Sequence, residues 1–308
     1  MFHLTLPFAY GGSHMSKKQD QLIKWSDVVE PQKATHGVGF TAFRHSDSLF
    51  GGLLNPVLNI DHYFMTQPTF PPHPHAGFSA ITYMFEDSEN GFLNRDSLGN
   101  EIIINPGDLH WTQAAKGILH EETPLKNGPV CHGLQIFINL PKKLKGTEPK
   151  IYHVDNFEAP RVQSSNDVAQ VKVVTGQFEN TRSLVQTDWP TDLLQLKWLR
   201  DGSVTIDLNP RQTSFVLNLS EAITVGEGNR LILSKYSGIA ACNVGTEASR
   251  FEINAPKGSN VVIIRSQVID EPSIFHGPFV ATDSQEMNRI VDRYRRGEFG
   301  NLLPRNEE

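Results

Sequence analysis

Cysteine is nearly absent. Cys131 and Cys242 are the only two in 308 residues, and they form no Cys-x-x-Cys pair. That excludes a disulfide scaffold and a thiolate zinc site, and it makes a reducing, cytoplasmic setting the expectation. Excess positive charge is missing as well. With a net charge of -6 at pH 7, the chain has no general attraction for phosphate backbones or anionic lipid, so nucleic acid is not an expected direct partner. No uninterrupted apolar run approaches the roughly 20 residues of a membrane span, and no membrane association is expected. The apolar start at Met1 to Tyr10 lacks a basic leading region and is broken by Pro7, so it makes a poor signal peptide. Gly12-Ser13-His14-Met15 resembles a cloning scar, and His3 and His14 therefore carry no functional weight. Also absent are a Gly-x-x-x-x-Gly-Lys-[Ser/Thr] phosphate loop, a Gly-x-Ser-x-Gly nucleophile elbow and a His-Glu-x-x-His helix.

What is present is material for a β-rich interior. The hydrophobic set makes up 38% of the chain, with 18 Phe, and 24 Gly and 19 Pro supply turns. Long amphipathic helical patterns are scarce before residue 280, which points to an all-β barrel or sandwich architecture. Residues 79–85, 101–104, 109–112 and 134–140 read as strands, separated by turns at 96–100 and 105–108. A second series repeats that rhythm at 171–174, 193–198, 204–208, 214–219, 222–225, 231–234, 250–253 and 261–265. The Pro-, Lys- and Ser-rich stretch from Lys142 to Gln170 reads as the connector. The expected organisation is an N-terminal extension at 1–20, a first barrel at 21–150, a connector at 151–170 and a second barrel at 171–308. Asp283 with Glu286 predicts a helix start, and Met287, Ile290, Val291 and Tyr294 share one face before Gly297 stops the helix.

Two residue pairs carry the chemistry. In an extended strand, positions i and i+2 face the same way. His73-Pro74-His75 can therefore aim two imidazoles at one point, and His120-Glu121-Glu122 an imidazole and a carboxylate. Alternation selects Glu122, because Glu121 faces away from His120. His73, His75, His120 and Glu122 thus form the candidate ligand set for a divalent first-row transition metal, with positions left open for water, oxygen or substrate. Fe(II) is the first choice, with Mn, Ni, Cu or Zn as alternatives. The bland alternative is an unmetallated polar lining of a barrel mouth. His110 and His132 lack a ligating partner at i+2 and read as supporting or core residues, and His62 beside Asp61 as part of a hydrogen-bonded turn. Phe64, Phe70, Phe78, Tyr83, Phe85, Trp111 and Phe137 are the expected aromatic wall.

The motifs together resemble the pirin family of the cupin superfamily. They are Asn55-Pro56 through Asp61, Pro72-His73-Pro74-His75-x-Gly77-Phe78, Arg95 to Asn100 and Asn105-Pro106-Gly107-Asp108-Leu109-x-Trp111. Gly117-Ile118-Leu119-His120-x-Glu122, His132 to Leu140, Glu271-Pro272 and Gly277-Pro278-Phe279-Val280 complete the set. The resemblance implies a bicupin of two β-barrels with metal in the first only, the ligand motif on His73, His75, His120 and Glu122, and a terminal segment that returns to embrace the other domain. It implies one of two functions. One is a quercetin 2,3-dioxygenase type of enzyme acting on a small aromatic substrate and oxygen, with Glu122 as catalytic base. The other is an iron-dependent, redox-sensitive co-regulator of transcription with a protein partner. A monomer is the expected state. Ala76, Ser79 and Asn94 depart from residues common in the family, and they weigh on substrate more than on metal.

Overall fold

A computed structural model of the chain describes residues 22–226, 228 and 230–303. The expected N-terminal extension at 1–20 lies outside the described residues. The fold is two β-barrels of matching topology followed by one short helix. The first is built from a seven-stranded antiparallel sheet, in the order Lys150–Val154, Leu109–Gln113, Phe78–Met84, Cys131–Asn139, Val57–Met65, Phe40–Ser46 and Gln32–His36. A four-stranded sheet closes it, in the order His73–His75, Ile118–Pro124, Phe92–Asp96 and Glu101–Ile104. The second barrel repeats this. Its seven-stranded sheet runs Ile23–Trp25, Gly238–Asn243, Gln212–Asn218, Asn260–Gln267, Thr191–Trp198, Ala169–Thr175 and Arg161–Gln163. Its four-stranded sheet runs Gly202–Leu208, Ser249–Ala255, Ile223–Val225 and Leu231–Leu233.

The large sheets pack face to face, and period-two alternation explains how. In Phe78–Met84 every residue is buried. Ile81 and Tyr83 enter a core shared with Val174, Leu193, Phe215, Val262 and Ile264 of the second barrel, while Met84 lies in a cluster of the first barrel itself and Ala80 packs with Phe78 and Val280 of the returning C-terminal segment. A strand covered on both sides reads as continuous hydrophobicity, so its sequence does not say which side chain faces which way.

The segments between and around the barrels are not loose connectors. Within the stretch Lys142 to Gln170, Lys150–Val154 adds an edge strand to the first barrel and Arg161–Gln163 one to the second. The strand Ile23–Trp25, which precedes the first barrel in sequence, pairs with Gly238–Asn243 of the second. Composition marked the 142–170 stretch as a linker because its side chains are polar. Its backbone N–H and C=O groups nonetheless found ladder partners at the exposed sheet edges.

The predicted terminal helix spans Ser284–Arg295, with the Asp283 carboxylate accepting the Glu286 N–H at its start. Met287 and Ile290 are buried with Ala76, Phe279 and Phe299, against Leu119. The chain thus returns from the second barrel to cover the outer face of the strands that carry the histidine pairs.

Candidate metal centre

Strand pairing brings the two motifs together. His73–His75 runs antiparallel to Ile118–Pro124, with His73 opposite His120 and His75 opposite Ile118. The turn after His75 is sharp. Gly77 has φ +83°, and an added Cβ would meet the Val280 carbonyl oxygen at 1.7 Å, so glycine is required there for both reasons. Lys145 holds the turn by donating to the Gly77 carbonyl at 2.5 Å and to Asn139 Oδ1 at 2.6 Å.

His73, His75 and His120 each place a ring nitrogen so that all three lie within 4.8 Å of one another. His75 and His120 are buried. Burial lowers the His75 pKa to about 3, with help from neighbouring His73, and drives that of His120 well below the ordinary histidine value. His73 is lowered too, again by burial. All three rings are therefore neutral near pH 7 and keep a nitrogen lone pair. The Nδ1 of His73 lies 2.9 Å from the Pro71 carbonyl, to which it can only donate, so its lone pair is on Nε2. His75 Nδ1 and both ring nitrogens of His120 have no partner among the described residues. Unpaired buried nitrogens cost free energy unless something accepts their lone pairs, and this donor set fits a divalent transition metal.

Glu122 lines the same cavity. The Thr82 hydroxyl lies 2.7 and 2.8 Å from its two carboxylate oxygens and 3.0 Å from Gln135 Oε1. Burial pushes the Glu122 pKa up to about 7, against the stabilising Thr82 hydrogen bond. Glu121 faces the other way and pairs with buried Arg95 at 2.8 Å, in keeping with alternation. Arg95 also donates to Glu101 and to the Leu303 carbonyl, which ties the segment after the terminal helix to the back of this sheet.

The cavity has a volume of about 280 Å³ and is largely apolar, from Phe40, Tyr63, Met65, Phe70, Phe92 and Phe137. Arg44, Asp61 and Gln135 supply polar groups, with Arg44 and Asp61 joined by two bonds of 2.7 and 2.6 Å. Phe70 and Phe137 were expected in the wall. Tyr83, Phe85 and Trp111 are not there: they sit in the core between the barrels. The strand Phe78–Met84 turns Thr82 toward the site and Tyr83 to the opposite sheet. Phe64 stacks on His132, and Phe78 packs against the His75 and Phe137 rings without lining the cavity. Phe40, Tyr63 and Met65, on the strands Phe40–Ser46 and Val57–Met65, lie outside the segments that the sequence pattern marks as strands. The spacing Asp61-x-Tyr63-x-Met65 was the available signal.

His62, His110 and His132 lie apart from this cavity lining. His62 lies inside a strand, not a turn, and its Nε2 is 2.7 Å from His132 Nε2, with His132 Nδ1 2.9 Å from Asp87. His110 is buried beside His153. Of the three departures, only Asn94 is at the site: it pairs across the strands with Glu122, and both its amide atoms lack partners among the described residues. Ala76 packs outward with Phe279, and Ser79 is paired across the sheet with Gln113.

Comparison with known proteins bears on the whole chain. The family model described as Pirin matches residues 26–138, and that described as Pirin C-terminal cupin domain matches residues 193–300. Pirin of Rattus norvegicus is 30% identical over 273 residues, covering 88% of this chain and 92% of its own. Pirin-1 of Arabidopsis thaliana is 31% identical over 252 residues, covering 80% and 84%. Among solved structures, quercetin 2,3-dioxygenase from Acinetobacter baumannii superposes with a TM-score of 0.77 at 24% identity, covering 92% of this chain and 100% of its own. A bacterial pirin from Escherichia coli in complex with nickel(II) gives a TM-score of 0.62 at 19% identity, covering 80% and 100%.

Proposed function

The chain belongs to the pirin family, and on that premise we propose that its first barrel is a mononuclear metal centre of the quercetin 2,3-dioxygenase type. His73, His75, His120 and Glu122 are the ligands in this reading. One observation carries it: three neutral imidazoles with free lone pairs converge at the wall of an apolar cavity. A flavonol-like or other planar aromatic substrate would stack among Phe40, Phe70 and Phe137. Fe(II) is the first choice, and Mn, Ni, Cu or Zn suit the same donors.

A bound divalent ion supplies Lewis acidity and a template for substrate and oxygen. The chain supplies the rest. Burial raises the Glu122 pKa to about 7 in the metal-free chain; a bound cation would favour the ionised carboxylate, whose oxygen would then take the proton of a substrate hydroxyl. Thr82 holds that carboxylate, and its hydrogen bond favours the ionised form. The aromatic wall excludes water, and Gln135 offers a polar contact to orient the ring system.

Aerobic oxygen uptake with a flavonol panel tests the reading. Metal-dependent uptake that falls by a factor of about 100 or more in Glu122→Ala is the expected result. No turnover by metal-loaded protein across the panel would remove the substrate assignment. It would leave the non-enzymatic, metal-dependent regulator as the family role to examine, by partner retention on apo against metal-loaded protein.

A further inference from the structure

A second convergence of ligand-type side chains lies where the chain leaves the first barrel. Asp108 closes the turn after Glu101–Ile104, and His153 and Asp155 lie at the end of the strand Lys150–Val154. One ring nitrogen of His153 and one oxygen from each carboxylate all lie within 4.8 Å of one another. His153 Nε2 is 3.4 Å from Asp155 Oδ1 and 3.7 Å from Asp108 Oδ2. Both separations are too long for good hydrogen bonds. They are close to the roughly 3.4 Å between two donors that each sit about 2.1 Å from a common tetrahedral ion.

One independent observation supports a ligand here. His110 lies directly across the strand pair from His153, with ring centroids 5.8 Å apart. It is 1% exposed, and its Nδ1 has no partner among the described residues. Cross-strand neighbours project to the same face, so this buried imidazole, whose Nε2 lies 3.4 Å from the Thr112 hydroxyl, adjoins His153. Asp108 itself is held in place. It is 2% exposed, and its two oxygens accept the backbone N–H groups of Asn105 and Asn156, each at 2.7 Å. Each oxygen retains a further acceptor position. The nearby cation Lys172 is engaged with the Gly107 carbonyl and Asn156 Oδ1 at 2.7 and 2.6 Å.

We propose that Asp108, His153 and Asp155 bind a second divalent first-row transition cation, such as Zn2+ or Mn2+. Water would complete its shell, and His110 would back the site. One imidazole and two carboxylates match such borderline ions. The site shares no residue with the barrel-mouth cluster and does not depend on that reading. Its effect is structural: an ion there pins the segment crossing to the second barrel onto a turn of the first, and stabilises the fold by binding only the native arrangement.

The test uses the full chain carrying His73→Ala and His120→Ala, stripped with chelator and titrated with Zn2+ by calorimetry and with Co2+ by visible absorption. About one equivalent of Zn2+, tetrahedral-type Co2+ bands and a raised Tm are expected. Adding Asp155→Asn, a near-isosteric change at a partly exposed side chain, should weaken binding by about 100-fold or more and abolish the Tm rise. His153→Gln should do the same. In chain with the barrel-mouth histidines intact, Asp155→Asn should lower the Zn2+ stoichiometry by one equivalent. No uptake by the His73→Ala/His120→Ala chain, or uptake unchanged by Asp155→Asn and His153→Gln, overturns the proposal.

Discussion

The two barrels share one strand order, yet one sheet in each has opposite polarity. In the second barrel, the strands Gly202–Leu208 and Ser249–Ala255 turn Val204, Ile206, Phe251 and Ile253 into the apolar core and present Thr205, Asp207, Arg250 and Glu252 outward. In the first barrel, the strands at the same places turn His73, His75, His120 and Glu122 inward and put Pro74, Ala76 and Leu119 on the outside. A sheet that carries the histidines and Glu122 on its inner face and Pro74, Ala76 and Leu119 on its outer face needs both faces compensated. Neutral imidazoles and a raised carboxyl pKa meet the inner cost in part. The outer face is covered by Phe279, the terminal helix and Phe299. The second barrel needs no such cover, and its outer face is polar and exposed. The returning C-terminal segment is therefore the counterpart of the histidine pairs, not an independent appendage.

The sharpest break of this comparison is metal content. Purified His73→Ala/His120→Ala protein should lose the barrel-mouth ion altogether by elemental analysis, while Ile206→Ala keeps it. Equal metal content in the two variants would place the ion outside the histidine cluster. The next effect is on stability. Ile206→Ala deletes a fully buried side chain of the second core and should cost about 2–5 kcal/mol by urea unfolding. Gly77→Ala should cost a further class of contact, of order 2 kcal/mol or more, because the residue takes φ +83° and abuts Val280. Hydrogen exchange should then rise in residues 274–299 before it rises in the second barrel. If exchange rises evenly, the strap does not answer to the turn.

The smallest effect lies in the seam. Burial lowers the Lys172 pKa to about 8, below the roughly 10.4 of an unfolded lysine. Between those values the unfolded chain binds more protons, so stability should rise with pH, by at most about 1.4 kcal/mol per unit. Lys172→Met should flatten that rise. A pH profile identical in the variant would assign the slope to other groups, such as Lys145, whose pKa burial also lowers to about 8.

Much of this was legible in the chain. Turn residues and short apolar runs located strands in both halves, and i, i+2 spacing singled out His73, His75, His120 and Glu122 over Glu121. Those features are local, set by backbone alternation and by the φ preferences of Gly, Asn and Pro. The aromatic wall was not legible: Tyr83 and Trp111 look no different in sequence from Phe40 and Tyr63, because Phe78–Met84 and Leu109–Gln113 are buried on both faces. The exchange of edge strands was equally hidden, since Ile23–Trp25 joins a sheet whose other strands lie more than a hundred residues away in sequence. By itself the sequence determined two β units, one bearing ligand-type pairs. Tertiary structure alone decided that three imidazoles meet, which aromatic residues enclose them, and that His153 joins Asp108. Convergence of distant strands depends on long-range pairing and packing, and no local pattern encodes it.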